Sequence, residues 1–162
     1  MTDFFHKEAL KVIGNTLLAQ KETLAVAESV TAGLLQAAFS TIPDASLFFQ
    51  GGITVYNLDQ KTRHLHIDAE HAMACNCVSE KVACELAMNV CTLFSCNWGI
   101  GVTGYASPVP ESGNRLFAYF SIMIGNRIVS SGRLVPEKKD EPFQVQQWYA
   151  NRVLDFFAGA LR

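Results

Sequence analysis

Charge is scarce in this chain. Only 17% of its 162 residues are Asp, Glu, Lys or Arg, and the formal net charge is −2. So light and balanced a surface does not suit a protein that works by gripping nucleic acid or an acidic membrane. Long apolar runs are missing as well. Hydrophobic residues make up 49% of the chain, yet no stretch reaches the roughly 20 residues needed to cross a bilayer. The opening residues Met1 to Lys7 lack the cationic-then-apolar order of a secretory signal, so a cytoplasmic location is expected. The five cysteines, Cys75, Cys77, Cys84, Cys91 and Cys96, are odd in number and have no framework spacing. They read as reduced, mostly buried thiols, with Cys84 and Cys91 on the core face of a helix. No repeat, low-complexity tract or linker divides the chain. A single domain, 1–162, with a full core is the expectation.

What is present alternates between two periods. Apolar residues at helical spacing predict helices over Phe4–Leu18, Thr31–Phe39 and Phe143–Leu161, with a further one after Ser79 as N-cap. A short helix is expected over Asp59–Leu65. Apolar runs predict strands over Leu24–Ala27, Leu47–Tyr56 and Trp98–Val102. Two more strands, Leu116–Ile124 and Arg127–Val135, flank Gly125-Asn126 and form a hairpin. Gly51-Gly52 marks a bend, a bulge or a close backbone approach, and Thr103–Asn114 is a loop. Strands alternating with helices, closed by one hairpin, predict an α/β fold: a three-layer α/β/α sandwich with a mixed sheet. The aromatics Phe4, Phe5, Phe48, Phe49, Trp148, Phe156 and Phe157 fall on expected buried faces.

Two segments carry potential chemistry. Ala27-Glu28-Ser29-Val30-Thr31-Ala32-Gly33 runs from a strand into a helix, with Ser29 at the junction. A helix start there would offer unpaired N–H groups to a developing oxyanion. Taken alone, Ser29 or Thr31 reads first as a helix cap. The second segment, Tyr56 to Lys61, follows the glycine-bearing strand, and both Tyr56 and Lys61 could point from the sheet edge toward Ser29. A lysine serves as base for a serine when burial keeps its amine uncharged; otherwise it is a solvated helix lysine. The densest set of metal-ligand types is His64, His66, His71, Cys75 and Cys77. Its spacings do not match a zinc site, so no metal or other cofactor is expected.

In order and spacing, Ala-Glu-Ser-x-Thr-x-Gly, Gly51-Gly52 with Tyr56 and Lys61, Val78-Ser79-Glu80, and Val102-Thr103-Gly104 resemble the CinA C-terminal domain family, which includes the nicotinamide-nucleotide amidases. The resemblance runs from the first helix to the last. It implies an amidohydrolase that converts nicotinamide mononucleotide to the carboxylated nucleotide and ammonia, using serine and lysine without a metal. It would make Ser29 the nucleophile, Lys61 its general base and Tyr56 a proton relay. Thr31, Gly33, Thr103 and Gly104 would contact substrate, and the N–H groups of Val30 and Thr31 would hold the oxyanion.

Three positions depart from the family pattern. Ala32 stands where a glycine is usual. The loop Gly104 to Gly113 has lost glycines and gained two β-restricting or bulky positions. Gln146 or Gln147 occupies the place of an arginine in the last helix, with Lys138 and Lys139 the nearest cations that could replace it. Arginine offers a permanent charge and a fork for phosphate, and glutamine offers neither. The pattern therefore also fits a weak or inactive relative that binds a nucleotide or amide and regulates. A small-molecule partner and a homo-oligomer are expected, with no nucleic acid and no membrane.

Overall fold

A computed structural model describes residues 3–138 and 140–162. Five strands, β1 (Leu24–Glu28), β2 (Phe49–Thr54), β3 (Trp98–Gly104), β4 (Ala118–Ile124) and β5 (Arg127–Leu134), form one sheet in the order β2-β1-β3-β4-β5. β2, β1 and β3 run parallel, while β4 and β5 are antiparallel. The helices are α1 (Lys7–Gln20), α2 (Leu34–Ser40), α3 (Leu58–Leu65), α4 (Ala69–Ala74), α5 (Glu80–Phe94) and α6 (Pro142–Ala160). The result is the α/β/α sandwich with a mixed sheet. Among the described residues no helix is long and apolar enough to cross a membrane.

Strand β1 shows why the sandwich has three layers. All five of its residues are buried, the pattern of a central strand covered on both faces. Leu24 and Val26 join the core beneath α1, α2 and α6, and Ala25 and Ala27 join the core beneath α3, α4 and α5. The connection after β1 passes through α2 on one face. The connection after β2 passes through α3 on the other. In open α/β sheets the crevice beyond the strand ends at such a switch is where ligands bind.

Strand β3 is longer than its apolar run, because Thr103 and Gly104 pair with Tyr119 and Ala118. Its glycines let α5 lie against the strand. A Cβ on Gly99 would stand 2.1 Å from the Ala87 carbonyl oxygen, and one on Gly101 would stand 2.3 Å from that of Ala83. Gly101→Ala should therefore cost about 2 kcal/mol by overpacking, read as a lower urea midpoint at unchanged slope.

Other elements shift from the sequence expectation for local reasons. Helix α1 begins after Phe4 and Phe5, and Phe4 stays exposed against Phe143. Phe156 is likewise exposed, stacked on Phe120. Residues 69–74 form α4, which periodicity did not reveal in so short a stretch; Asp68 caps it through the His71 N–H. Ser79 caps α5 as expected, accepting from the Val82 N–H at 3.1 Å. All five cysteines are free, but only Cys91 is buried, and the other four are half-buried.

Candidate active site

The backbone between β1 and α2 does not enter a helix at Ser29. The Ser29 N–H extends the sheet by donating to the Val102 carbonyl at 3.1 Å. Ala32 and Gly33 then both take left-handed backbone, at φ +49° and +97°. Two such residues cannot continue an α-helix, so α2 starts only at Leu34. Neither Ser29 nor Thr31 caps it. The carboxyl group of Glu28 does, accepting from the N–H groups of Leu35 at 2.8 Å and Gln36 at 3.0 Å. The Gln36 side-chain amide donates to the same group. Glu28 is fully buried. The expected helix-end setting for Ser29 is thus replaced by a tight turn anchored from the preceding residue. In that turn the N–H groups of Val30 and Thr31 donate to no acceptor among the described residues.

Asn57 caps α3 by accepting from the Gln60 N–H, and this places Lys61 on the inner face of the first turn. Lys61 is 1% exposed. Its Nζ lies 2.9 Å from Ser29 Oγ and 2.8 Å from the Val55 carbonyl oxygen, to which it donates. No described ion pair involves it. Burial pushes its pKa below the usual lysine value, with the nearby Cys77 opposing the shift. The environment suits an uncharged amine. One N–H donates to Val55, and the lone pair is free to accept the Ser29 hydroxyl proton.

Ser29 and Lys61 open onto a cleft of about 480 Å³ beyond the ends of β1 and β3, where the strand order reverses. Tyr56, Thr103 and Gly104 also line it. Tyr56 lies two residues beyond the end of β2, is 66% exposed, and bonds to neither Ser29 nor Lys61. Thr103 is buried, and its hydroxyl donates to the Cys77 carbonyl at 2.7 Å. Gly104 is required sterically: a Cβ there would stand 2.5 Å from that of Ala118. Thr31 and Gly33 do not line the cleft. Thr31 is fully buried with its hydroxyl unpartnered, and Gly33 is the left-handed residue that starts α2.

Residues not assigned to this cleft from the sequence complete the walls. Asn76 and Cys77 hold successive left-handed conformations, φ +52° and +62°, a strained pair of the kind that gathers at functional sites. That bend aims the Cys77 carbonyl at Thr103. It also lets the Asn76 side chain donate to Tyr105 Oη at 3.1 Å. Burial pushes the Cys77 thiol up. Of the two glutamines, Gln146 faces the cleft and donates to the Val30 carbonyl at 2.9 Å, while Gln147 bonds to the Phe4 carbonyl. Lys138 lines a separate cavity beside Trp148 and Arg152, and Lys139 lies outside the described residues. Among the described residues no three His, Cys, Asp or Glu side chains gather as a metal set. His71 pairs with Ser79, and His64 with Gln60.

The model of the CinA C-terminal domain family matches residues 6–152. The chain belongs to that family. It is 34% identical over 139 residues to a CinA-like protein of Chlorobium chlorochromatii (strain CaD3), a match covering 84% of this chain and 33% of that one. It is 42% identical over 97 residues to a CinA-like protein of Trichodesmium erythraeum (strain IMS101), covering 60% and 23%. The chain thus spans no more than about a third of these curated relatives. A crystal structure of the competence-damaged protein (CinA) superfamily protein from Enterobacter cloacae superposes with a TM-score of 0.89 at 23% identity, covering 100% of this chain and 99% of that one. The competence/damage inducible protein CihA from Agrobacterium tumefaciens gives 0.87 at 18%, with both chains covered in full. At these identities the likeness is one of fold.

Proposed function

We propose that this CinA-family domain is a metal-independent amidohydrolase that cleaves the carboxamide of nicotinamide mononucleotide or a related amide to the acid and ammonia. The observation that carries the reading is the 2.9 Å contact between Ser29 Oγ and a buried lysine amine that has no carboxylate partner among the described residues. Uncharged Lys61 takes the hydroxyl proton as Ser29 Oγ attacks the amide carbon. The tetrahedral oxyanion is held by the free N–H group of Val30, which lines the cleft. Lys61, now an ammonium, returns the proton to the departing nitrogen, and ammonia leaves an ester on Ser29. Water, deprotonated by the same amine, then hydrolyses that ester. Each proton transfer through a positioned base is worth about 10²- to 10⁴-fold in rate. Tyr56, at the rim, contacts substrate.

The test is ammonia release from nicotinamide mononucleotide and a panel of small amides by the purified chain. Turnover that depends on Ser29 supports the reading, and no turnover across the panel rejects it. The pH dependence is a second expectation. Only the neutral amine is a base, so kcat/KM should rise with pH through an inflection below about 10.4, the ordinary lysine value, and then level off. The sign for stability agrees. The folded pKa is depressed, so the unfolded chain binds the extra proton between the two values, and stability climbs with pH across that window.

A further inference from the structure

The cleft beyond Ser29 is built to receive an uncharged group. Its only charged-type side chain, among the described residues, is Lys61, and that amine is already committed to Ser29 and Val55. No arginine, histidine or acid lines it. A phosphate monoester carries up to two negative charges, and its binding sites ordinarily supply cations, helix N-termini or runs of free N–H groups.

The cations are absent here and part of the N–H supply is spent; the N–H groups of Val30, Ala106, Ser107 and Val109 on the cleft donate to no acceptor among the described residues, and they bring only partial charges. In the wall loop the Tyr105 N–H donates to the Phe117 carbonyl, and those of Ser112, Gly113 and Asn114 donate to carbonyls within the loop. Pro108 and Pro110 have no N–H to offer. Arg115, the nearby cation, lies over the Phe117 ring and bonds to the Ser112 carbonyl rather than lining the cleft. The first turn of α6 reaches the cleft through Pro142, which also lacks an N–H, and its N-cap is the acidic Glu141. An acid at that position competes with any second anion for the helix end.

Gln146 goes further and repels. A carbonyl can only accept, so the Gln146 side-chain nitrogen must face Val30. The oxygen of that amide is therefore the end left for a ligand, an acceptor that disfavours phosphate and favours a hydroxyl or amide N–H. The remaining cleft surface is aliphatic, aromatic and neutral-polar. Tyr56 and Tyr105 both line the cleft. Tyr105 Oη already accepts from Asn76 and so is left to donate. The volume, about 480 Å³, is in the range that encloses a small ligand.

We propose, building on the amidase reading, that the substrate is a non-phosphorylated aromatic carboxamide, a free base or nucleoside, and that the cleft rejects the corresponding nucleotide. The experiment compares nicotinamide, nicotinamide riboside and nicotinamide mononucleotide on the full chain. Two readouts are used: kcat/KM for ammonia release by the parent protein, and Kd by calorimetry on Ser29→Ala. Nicotinamide or its riboside should exceed the nucleotide at least 10-fold in both. Gln146→Arg, whose guanidinium can still donate to Val30, should improve the nucleotide relative to the riboside at least 10-fold. Tighter binding or faster cleavage of the nucleotide by the parent overturns this proposal while the amidase reading stands. Discrimination in Kd with no turnover of any compound upholds the cleft's selectivity and overturns the amidase reading. Failure of all three to bind overturns the proposal.

Discussion

Replacing Ser29 with alanine, or Lys61 with methionine, should each lower kcat/KM for ammonia release by about 10⁴- to 10⁶-fold, and the double variant should be no slower than the worse single one. The magnitude follows from what nucleophile and base removals cost in enzymes where both act as one unit. The non-additivity follows from the geometry. With Nζ 2.9 Å from Oγ, neither group has a partner for attack once the other is gone. What remains is binding and the N–H group of Val30, which does not need the lysine. Lys61→Met adds a control on folding. It exchanges a buried amine for an apolar side chain of similar length, and it leaves only the Val55 carbonyl short of a donor. Replacing buried charged groups by apolar ones is often neutral or stabilising. The melting temperature should therefore stay within about 3 °C of the parent. Steady-state kinetics with thermal unfolding on the same samples checks both halves. A large fall in stability would mean that the lysine is structural.

The second large effect is on stability and centres on Glu28. Glu28→Ala should cost about 4 kcal/mol. It strands the backbone N–H groups of Leu35 and Gln36 and the Gln36 side-chain amide, and a buried donor left unpaired costs about 1–3 kcal/mol. At 2–4 °C per kcal/mol for a chain of this size, the melting temperature should drop by about 10 °C. Glu28→Gln keeps one acceptor oxygen and should lose roughly half as much. Because this carboxyl group anchors the turn that carries Ser29, Glu28→Gln should also reduce kcat in protein that remains fully folded at the assay temperature. A variant as stable as the parent would show that α2 is capped by other means.

Patterns of period and turn chemistry made most of the architecture legible. The alternation of apolar runs and helical stripes identified the mixed sheet, the Gly125-Asn126 hairpin and the Ser79 cap. What escaped was set by tertiary context. The start of α2 depends on left-handed backbone at Ala32, an alanine that nothing in the local sequence marks. A propensity reading therefore placed the helix three residues early and cast Ser29 as a candidate cap. The extension of β3 through Thr103 and Gly104 depends on its pairing with β4. Helix α4 is too short for its period to show.

The site divides in the same way. Ser29 and Lys61, read from motif and spacing, lie together in the structure, with Thr103 and Gly104 on the same cleft. Asn76, Cys77 and Tyr105 could not be found from spacing, because a left-handed pair far along the chain carries them there. Gln146 and Gln147 were indistinguishable until the helix phase of α6 turned one toward Val30 and the other toward Phe4. Glu28 carries a signal of its own, an acid immediately ahead of the turn into a helix.

Activation of Ser29 by an uncharged Lys61, the proposal on which the mechanism depends, can be read without knowing the substrate. The parent protein and Lys61→Met are treated with a small sulfonyl fluoride across a pH series, and the modified site and its rate are measured by peptide mass spectrometry. Selective sulfonylation of Ser29 is expected, faster as pH rises through an inflection below that of a free lysine, and abolished in Lys61→Met. Unlabelled Ser29 at every pH, or labelling at the same rate in Lys61→Met, would contradict it.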